Sequence, residues 1–570
     1  MNLKENFAAE LLSVLGKEFQ EKELLELIEV PPSKELGDYS FPCFKLAGKL
    51  KKDPKEIASE LKKKIDLKKI LFIERTETKG PYLNIFLDYV FLANNLVPEI
   101  LEKKSKFGFN SIGKGKKILI EYSSPNTNKP LHIGHLRNDS IGMSLSNIFE
   151  ANGFKAVKAI LINDRGIHIS QSMLAYQKFG ERKKPDKKSD HFVGDYYVLF
   201  NLKAKENPEL EKEAAELLMK WEKKDKKTIA VWKKMSSWSI KGLFETYKKF
   251  GSEFDVIYRE SEYFDKGKKI IESGLEKKVF AKDEEGNIVV DLTKFDLGKK
   301  VVLRNDGTSI YFTNDLILSA EKFRQFNPDK NIWVVASEQN FYFRQLFKAL
   351  ELLGFDWVKK CLHYSYGMVY LPEGKMKSRE GKVVDADDLI KELVSMAEKE
   401  IKKRNPELKG KELSNRAEAI GLGAIKFFLL KTDSAKDIHF IPEESISFEG
   451  ETSAFIQYGF ARCKSILAKA EKNSGKKPVF NFLTQEEKNL IGVLSLFPEK
   501  VFSSSESMAP HILCHYLLEL TSVFNIFYQK CNVLNEEKSL MNSRLALVKS
   551  TSVVIENCLS LLGIKVLERM

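Results

Sequence analysis

Residues 118–142 read ILIEYSSPNTNKPLHIGHLRNDSIG. The apolar run Ile118 to Ile120 has the composition of a buried strand. The SSPNTNKP stretch after it is turn-rich, and Leu131-His132-Ile133-Gly134-His135 opens a helical pattern. A strand that turns into a helix N-terminus delivers the chain to the carboxyl edge of a parallel sheet. Unpaired N–H groups and the positive end of the helix dipole hold anions there. Gly134, lacking a Cβ, lets a ligand approach the backbone. The corner suits a nucleotide triphosphate, and the competing reading is a pair of surface histidines in a turn.

A second stretch, Gly374-Lys375-Met376-Lys377-Ser378-Arg379-Glu380-Gly381-Lys382, is a glycine-bracketed basic loop of the kind that closes over a polyphosphate. Alone it is also a plain solvated loop, in a chain with 93 basic residues. In this order and at domain-scale separation, the two stretches resemble the H-I-G-H and K-M-S-K-S pair of class I aminoacyl-tRNA synthetases.

The 570 residues are enough for two to four domains. The net charge of +13 is spread through alternating Lys/Glu segments and predicts a polyanionic partner such as nucleic acid. The six cysteines are scattered, with no C-x-x-C pair and no histidine at zinc spacing. No metal site is expected from them, and reduced thiols point to the cytoplasm. The N-terminal residues carry neither a signal pattern nor a transit pattern, and no apolar run reaches membrane-spanning length, so no membrane partner is expected.

Residues 1–105 predict a small α/β module. It opens with an amphipathic helix (Phe7, Leu11, Leu12, Leu15, Phe19), passes Gly37-Asp38-Tyr39, and continues with a helix after Pro54 and strands near Leu71–Glu74 and Tyr82–Phe86. Residues 106–440 alternate strand runs (Ala156–Ile162, Ile332–Val335, Gly367–Tyr370) with helical ones. This is the pattern of a Rossmann-type doubly wound parallel sheet, interrupted at about 181–285 by a charged helical insertion. Residues 441–570 predict an all-α helical bundle.

The flanks sharpen the resemblance. Residues 118–142, DGTSIYFTND (306–315), EGETSAFIQYGFAR (449–462), HYLLELTSVFNIFYQKC (515–531), LLGIKVLERM (561–570) and GDYSFPCFKLA (37–47) together resemble the arginyl-tRNA synthetases over nearly the whole chain. The resemblance implies activation of L-arginine with ATP and Mg²⁺ to arginyl adenylate, with bound tRNA generally required. Transfer to the 3′-terminal ribose of tRNA-Arg, releasing AMP and diphosphate, would follow. It assigns catalysis to His132, His135, Lys129 and Lys375, and ATP binding to His132, Gly134, His135, Lys375, Met376, Ser378 and Arg379.

A guanidinium is a planar five-donor fork, so its pocket needs carboxylates in bidentate geometry and an aromatic face. Tyr311 and Asp315, four apart, share one face if helical, and Glu121 ends a strand. The resemblance assigns all three to arginine, gives its α-amino and carboxylate end to Asn126 and Gln339, and places Asp164 in the pocket lining. It also implies tRNA contacts at Tyr82 and Asn84 in the N-terminal module and at Tyr528 and Met570 near the anticodon. A monomer is expected.

The chain departs from the class pattern at Ser378, which stands where the second lysine of K-M-S-K-S belongs. Lys129 is the expected compensating cation, with Arg379 adjacent as the alternative. Phe460, Tyr342 and Leu567 replace frequent His, His and Pro residues, and none is expected to touch the chemistry. Three other readings compete. A class I enzyme for another amino acid is opposed by the Glu121, Tyr311 and Asp315 set. An inactive RNA-binding paralogue is opposed by His132, His135 and Lys375. A nucleotidylyltransferase would lack the helical C-terminal domain.

Overall fold

The structure, a computed structural model, describes residues 3–16, 18–308, 310–370, 384–470 and 478–570, with residue 268 described in its backbone alone. The helix Leu3–Leu15 buries Phe7 and Leu11, and Pro54–Lys64 starts with proline in its first turn under an Asp53 cap. The strands β1 (Tyr39–Pro42), β2 (Ile73–Lys79) and β3 (Tyr82–Leu87) pair antiparallel in the order β1-β3-β2. Gly37, at φ 101°, leads into β1, and a Cβ there would meet Ile85 O at 2.6 Å, so the close approach requires glycine.

The central sheet begins with β4 (Lys117–Glu121), β5 (Lys155–Ile162) and β6 (Val256–Arg259). An antiparallel meander of β7 (Phe280–Lys282), β8 (Ile288–Asp291) and β9 (Lys299–Leu303) intervenes before β10 (Lys330–Ala336) and β11 (Cys361–Tyr366). The sheet order is β11-β10-β4-β5-β6, with every neighbouring pair parallel. Strand order therefore reverses between β4 and β10, and the crevice at their carboxyl ends is where such a fold binds ligands.

Two sequence expectations change. The last core strand is Cys361–Tyr366, not Gly367–Tyr370, of which only β12 (Val369–Tyr370) is extended, paired with β13 (Ile438–His439). The helical insertion ends at Phe250, well before residue 285. Its helices Ser189–Glu206, Glu209–Glu222 and Lys226–Phe250 are followed by β6, which returns the chain to the sheet edge.

The C-terminal portion is helical, built from Ser453–Ala470, Gln485–Ser495, Phe497–Glu506, His511–Lys530 and Lys538–Leu561. The N-terminal module's long helix Tyr89–Lys103 packs against Lys538–Leu561 and Gln485–Ser495, so one apolar core runs from the module through the sheet into the bundle. No helix among the described residues is long and apolar enough to cross a membrane.

Candidate active site

Leaving β4, the chain turns through Ser123 and Ser124 at φ 78° and 50°, left-handed values that side-chain-bearing residues adopt at a cost. Asn138 Oδ1 accepts from Ser123 N–H at 2.6 Å, tying the turn to the helix Ile133–Ala151. His132 caps that helix. Its Nδ1 accepts from Gly134 N–H at 3.2 Å, while its own N–H donates to His135 Nδ1 at 3.1 Å. With both Nδ1 atoms accepting, each neutral ring carries its proton on Nε2. Burial, then the Lys129 charge, holds His132 down at about 3; burial, then His132 and Lys129, holds His135 far below its usual range. The two rings are thus neutral N–H donors rather than cations. A Cβ on Gly134 would lie 2.9 Å from His132 Cε1, so this glycine also makes room for the imidazole over the first turn.

Lys375, Met376, Ser378 and Arg379 lie outside the described residues. The chain that follows them is tied to the histidine corner: Ile133 N–H donates to Val384 O at 3.3 Å and Ala386 N–H to Leu131 O at 3.0 Å. Arg137, fully buried one turn along, donates to the carbonyls of Gly367, Met368, Ser434 and Lys436 and clamps the end of β11 to the same helix.

Across the switch point the helix Tyr311–Phe326 begins at Tyr311, so Tyr311 and Asp315 do share a helical face. Asp315 accepts a hydrogen bond from Tyr342 Oη, and burial pushes its carboxyl up to about 6 against that bond. Tyr342, expected to stand away from the chemistry, therefore holds the carboxylate of Asp315. Glu121 ends β4 but forms a buried ion pair with Lys322 at 2.5 Å, so its charge is already balanced inside the protein.

Asp164 is almost fully buried, accepting from Ser261 N–H at 2.9 Å and Ser261 Oγ–H at 2.8 Å. Its contacts hold the turn after β6. That turn carries Glu260, which the sequence reading missed. Glu260 is 2% exposed; Asn314 Nδ2 donates to its Oε1 at 2.8 Å, and its Oε2 has no partner among the described residues. Burial pushes its carboxyl up to about 8. Asn126 lies in the loop bridged to Asn163 beyond β5, and Gln339 is exposed at the end of the short turn after β10.

Residues 96–441 match the family described as tRNA synthetases class I (R), catalytic domain; 456–570 match the DALR anticodon binding domain; and 1–87 match the arginyl tRNA synthetase N terminal domain. The chain belongs to the arginyl-tRNA synthetase family. An arginine--tRNA ligase of Treponema denticola is 44% identical over 581 residues, covering 99% of this chain and 98% of that one. One from Borreliella afzelii is 41% identical over 590 residues, covering 100% of both. The Thermus thermophilus arginyl-tRNA synthetase structure superposes with a TM-score of 0.83 at 26% identity, covering 100% of this chain and 99% of that one. ATP-dependent arginine--tRNA ligation is the activity of this chain, with arginine, ATP and tRNA-Arg as its substrates.

The residues that the family resemblance assigns to tRNA fall in unlike settings. Tyr528 is 42% exposed on the helix His511–Lys530, with the Arg462 guanidinium 4.9 Å from its ring and equally far from Tyr458. It lines, with Arg416, Lys464, Lys530 and the half-buried Met570, a cleft of about 1780 Å³. Tyr82 is half-buried at the start of β3, edge-on to Phe44. Asn84 differs from expectation. It is buried, and its Oδ1 accepts from Ser40 Oγ–H at 2.8 Å, a bond that joins β1 to β3.

Proposed function

We propose that this site activates L-arginine by positioning and charge compensation, with no covalent intermediate on the protein. The substrate guanidinium would lie against Tyr311 between Asp315 and Glu260, with its α-amino and carboxylate end toward Asn126 and Gln339. Glu121 and Asp164 act behind this layer through Lys322 and Ser261. Glu260 is the observation that carries the reading: a buried carboxyl with one oxygen held by Asn314 and the other unpartnered is costly to ionise unless a cation completes it.

ATP would lie over the first turn of the Ile133 helix, its phosphates meeting the Nε2–H donors of His132 and His135, the open edge at Gly134, and Lys129. Lys375, Met376, Ser378 and Arg379 would complete the phosphate site. The arginine carboxylate oxygen attacks the α-phosphorus, the bond to the β-phosphate oxygen breaks, and diphosphate leaves. Fixed donors and nearby cations meet the charge that builds on the leaving group. The 3′-terminal ribose hydroxyl of tRNA then attacks the carbonyl, and AMP leaves.

Mg²⁺ bound with ATP would supply further charge neutralisation to the phosphates beside His132, His135 and Lys129. The described grouping with metal-ligand spacing, Asp190, His191 and Asp387, already has Lys188 Nζ 2.7 Å from both aspartates. The cleft beside Tyr528 and Met570 would take the anticodon, with Arg462 and the tyrosines offering faces on which bases stack. Tyr82 would contact the tRNA elbow. We read the chain as a cytoplasmic monomer with domain divisions near 105 and 440.

Arginine-dependent ATP–diphosphate exchange with tRNA present tests the pocket. Glu260→Gln and Asp315→Ala should each raise the KM for arginine while leaving the KM for ATP unchanged, and an equal ATP defect would remove the residue from the pocket.

A further inference from the structure

One guanidinium already sits beside the arginine pocket. Arg165 leaves the carboxyl end of β5 and Glu260 leaves that of β6, and the two Asp164–Ser261 hydrogen bonds stitch these segments together. Gly166, the next residue, is backed by Tyr311: a Cβ there would meet the Tyr311 hydroxyl at 3.2 Å. The Arg165 charge acts on both Glu260 and Tyr311, pulling down pKa values that burial raises.

Arg165 does not pair with Glu260 in this structure. Its Nη2 donates to Glu222 in an ion pair, and its guanidinium lies 5.7 Å from the Trp221 ring centroid and 5.0 Å from that of Phe264. The Arg165 side chain is 3% exposed, and its Nε has no partner among the described residues. Glu222 is the last residue of the insertion helix Glu209–Glu222, so the partner comes from outside the nucleotide-binding fold.

The geometry points to Glu222 as a residue that sets arginine affinity, by holding Arg165 against Trp221 and Phe264 and so leaving Glu260 Oε2 free for the substrate. The inference rests on the reading of Glu260 as the guanidinium's partner. Arg165 ends in the same chemical group as the substrate side chain, so without a restraint it is a tethered competitor. Tethering gives such a competitor an effective concentration of order millimolar or more. A neutral side chain at 222 would release it toward Glu260, whose Oε2 has no partner among the described residues, and substrate would bind only the fraction of molecules in which it had swung back.

The test is exchange kinetics with tRNA present on Glu222→Gln, Arg165→Met, the double variant and Glu260→Gln. If Arg165 occupies Glu260 in about nine-tenths of Glu222→Gln molecules, the KM for arginine rises about tenfold, with kcat and the KM for ATP nearly unchanged. The double variant should then bind arginine better than Glu222→Gln alone, returning KM to within about threefold of wild type. A merely structural ion pair predicts instead a lowered urea midpoint in Glu222→Gln that the double variant recovers, with the KM for arginine of the folded enzyme unchanged throughout.

An unchanged KM in Glu222→Gln, or a double variant no better than that single one, overturns the inference. Glu260→Gln separates the two levels: if it leaves the arginine KM unchanged, the pocket reading fails, whereas a raised KM there beside an unaffected Glu222→Gln overturns the Glu222 role alone. Should Glu222→Gln not fold, Glu222→Asp, whose shorter side chain weakens the hold on Arg165, carries the same expectation. Its raised KM should be reversed by Arg165→Met, and absence of that reversal overturns the inference equally.

Discussion

Lys322 Nζ lies 2.5 Å from Glu121 Oε2, joining the helix that begins at Tyr311 to the last residue of β4 with both side chains almost fully buried. The Lys322 ammonium also lies 4.9 Å from the Trp333 ring centroid. Removing one partner strands the other charge in the interior. Lys322→Met should therefore lower unfolding stability by about 3–5 kcal/mol, while Glu121→Gln with Lys322→Met should recover most of the loss. Urea midpoints of the three proteins check this, and a single variant as stable as wild type would mean that water reaches the pair.

The histidine pair makes a prediction about pH. His132 is held at about 3 against an ordinary 6.5, so between these values the unfolded chain binds a proton that the folded chain refuses. The contribution opposes folding as pH falls through that window and is absent above it. Ring carbon chemical shifts of His132 and His135 should therefore stay at neutral, Nε2-protonated values from pH 8 to about 5. A titration near 6.5 in either ring would show that the locked tautomers are not the resting state.

The two buried carboxyls proposed to meet arginine run the other way. Glu260 and Asp315 are raised to about 8 and about 6, so the empty folded site keeps protons that the unfolded chain gives up, and their cost to stability grows as pH rises through those windows. A bound guanidinium favours the ionised forms and should expel protons. Calorimetric arginine titrations near pH 7 in buffers of different ionisation enthalpy should show release of up to about one proton, and Glu260→Gln should abolish most of it. Buffer-independent heats would contradict the assignment of Glu260.

Much of this site is written locally, and that part is legible in the sequence. The strand, turn and His132-capped helix come from contiguous residues, and the four-residue spacing of Tyr311 and Asp315 is a helical face wherever a helix forms. Glu260 is not legible in the same way. Its strand, Val256–Arg259, has one buried residue in four because it is the sheet edge, and its Lys/Glu-rich surroundings read as helix. Ligands of such a fold bind at the strands' carboxyl ends, and the acidic Glu260-Ser261-Glu262 stretch just past the run Val256–Arg259 is a signal that could have pointed there. Glu121 reads as a ligand because its partner lies 201 positions away on another helix, a pairing that only the folded sheet brings together. Tyr342 is unreadable for the same reason, since its bond to Asp315 crosses between two helices.

Lys129 is the cation offered in place of the missing second lysine, and its charge acts on both histidine rings. Lys129→Ala should depress kcat for adenylate formation by an amount equivalent to about 2–4 kcal/mol, by analogy with loss of one preorganised donor, with little change in tRNA affinity. Ser378→Lys in that background should restore part of the rate. Near wild-type kcat in Lys129→Ala would transfer the role to Arg379.

The central claim is that two buried carboxylates and a tyrosine read a guanidinium. The direct measurement is kcat/KM in tRNA-dependent ATP–diphosphate exchange for L-arginine beside L-citrulline, its neutral isostere, and L-lysine. A site built for a charged fork leaves buried acceptors unpaired with either analogue, so arginine should be preferred by about ten-thousandfold or more. Exchange with citrulline or lysine within about a hundredfold of arginine, less than one buried unpaired group should cost, would contradict the account.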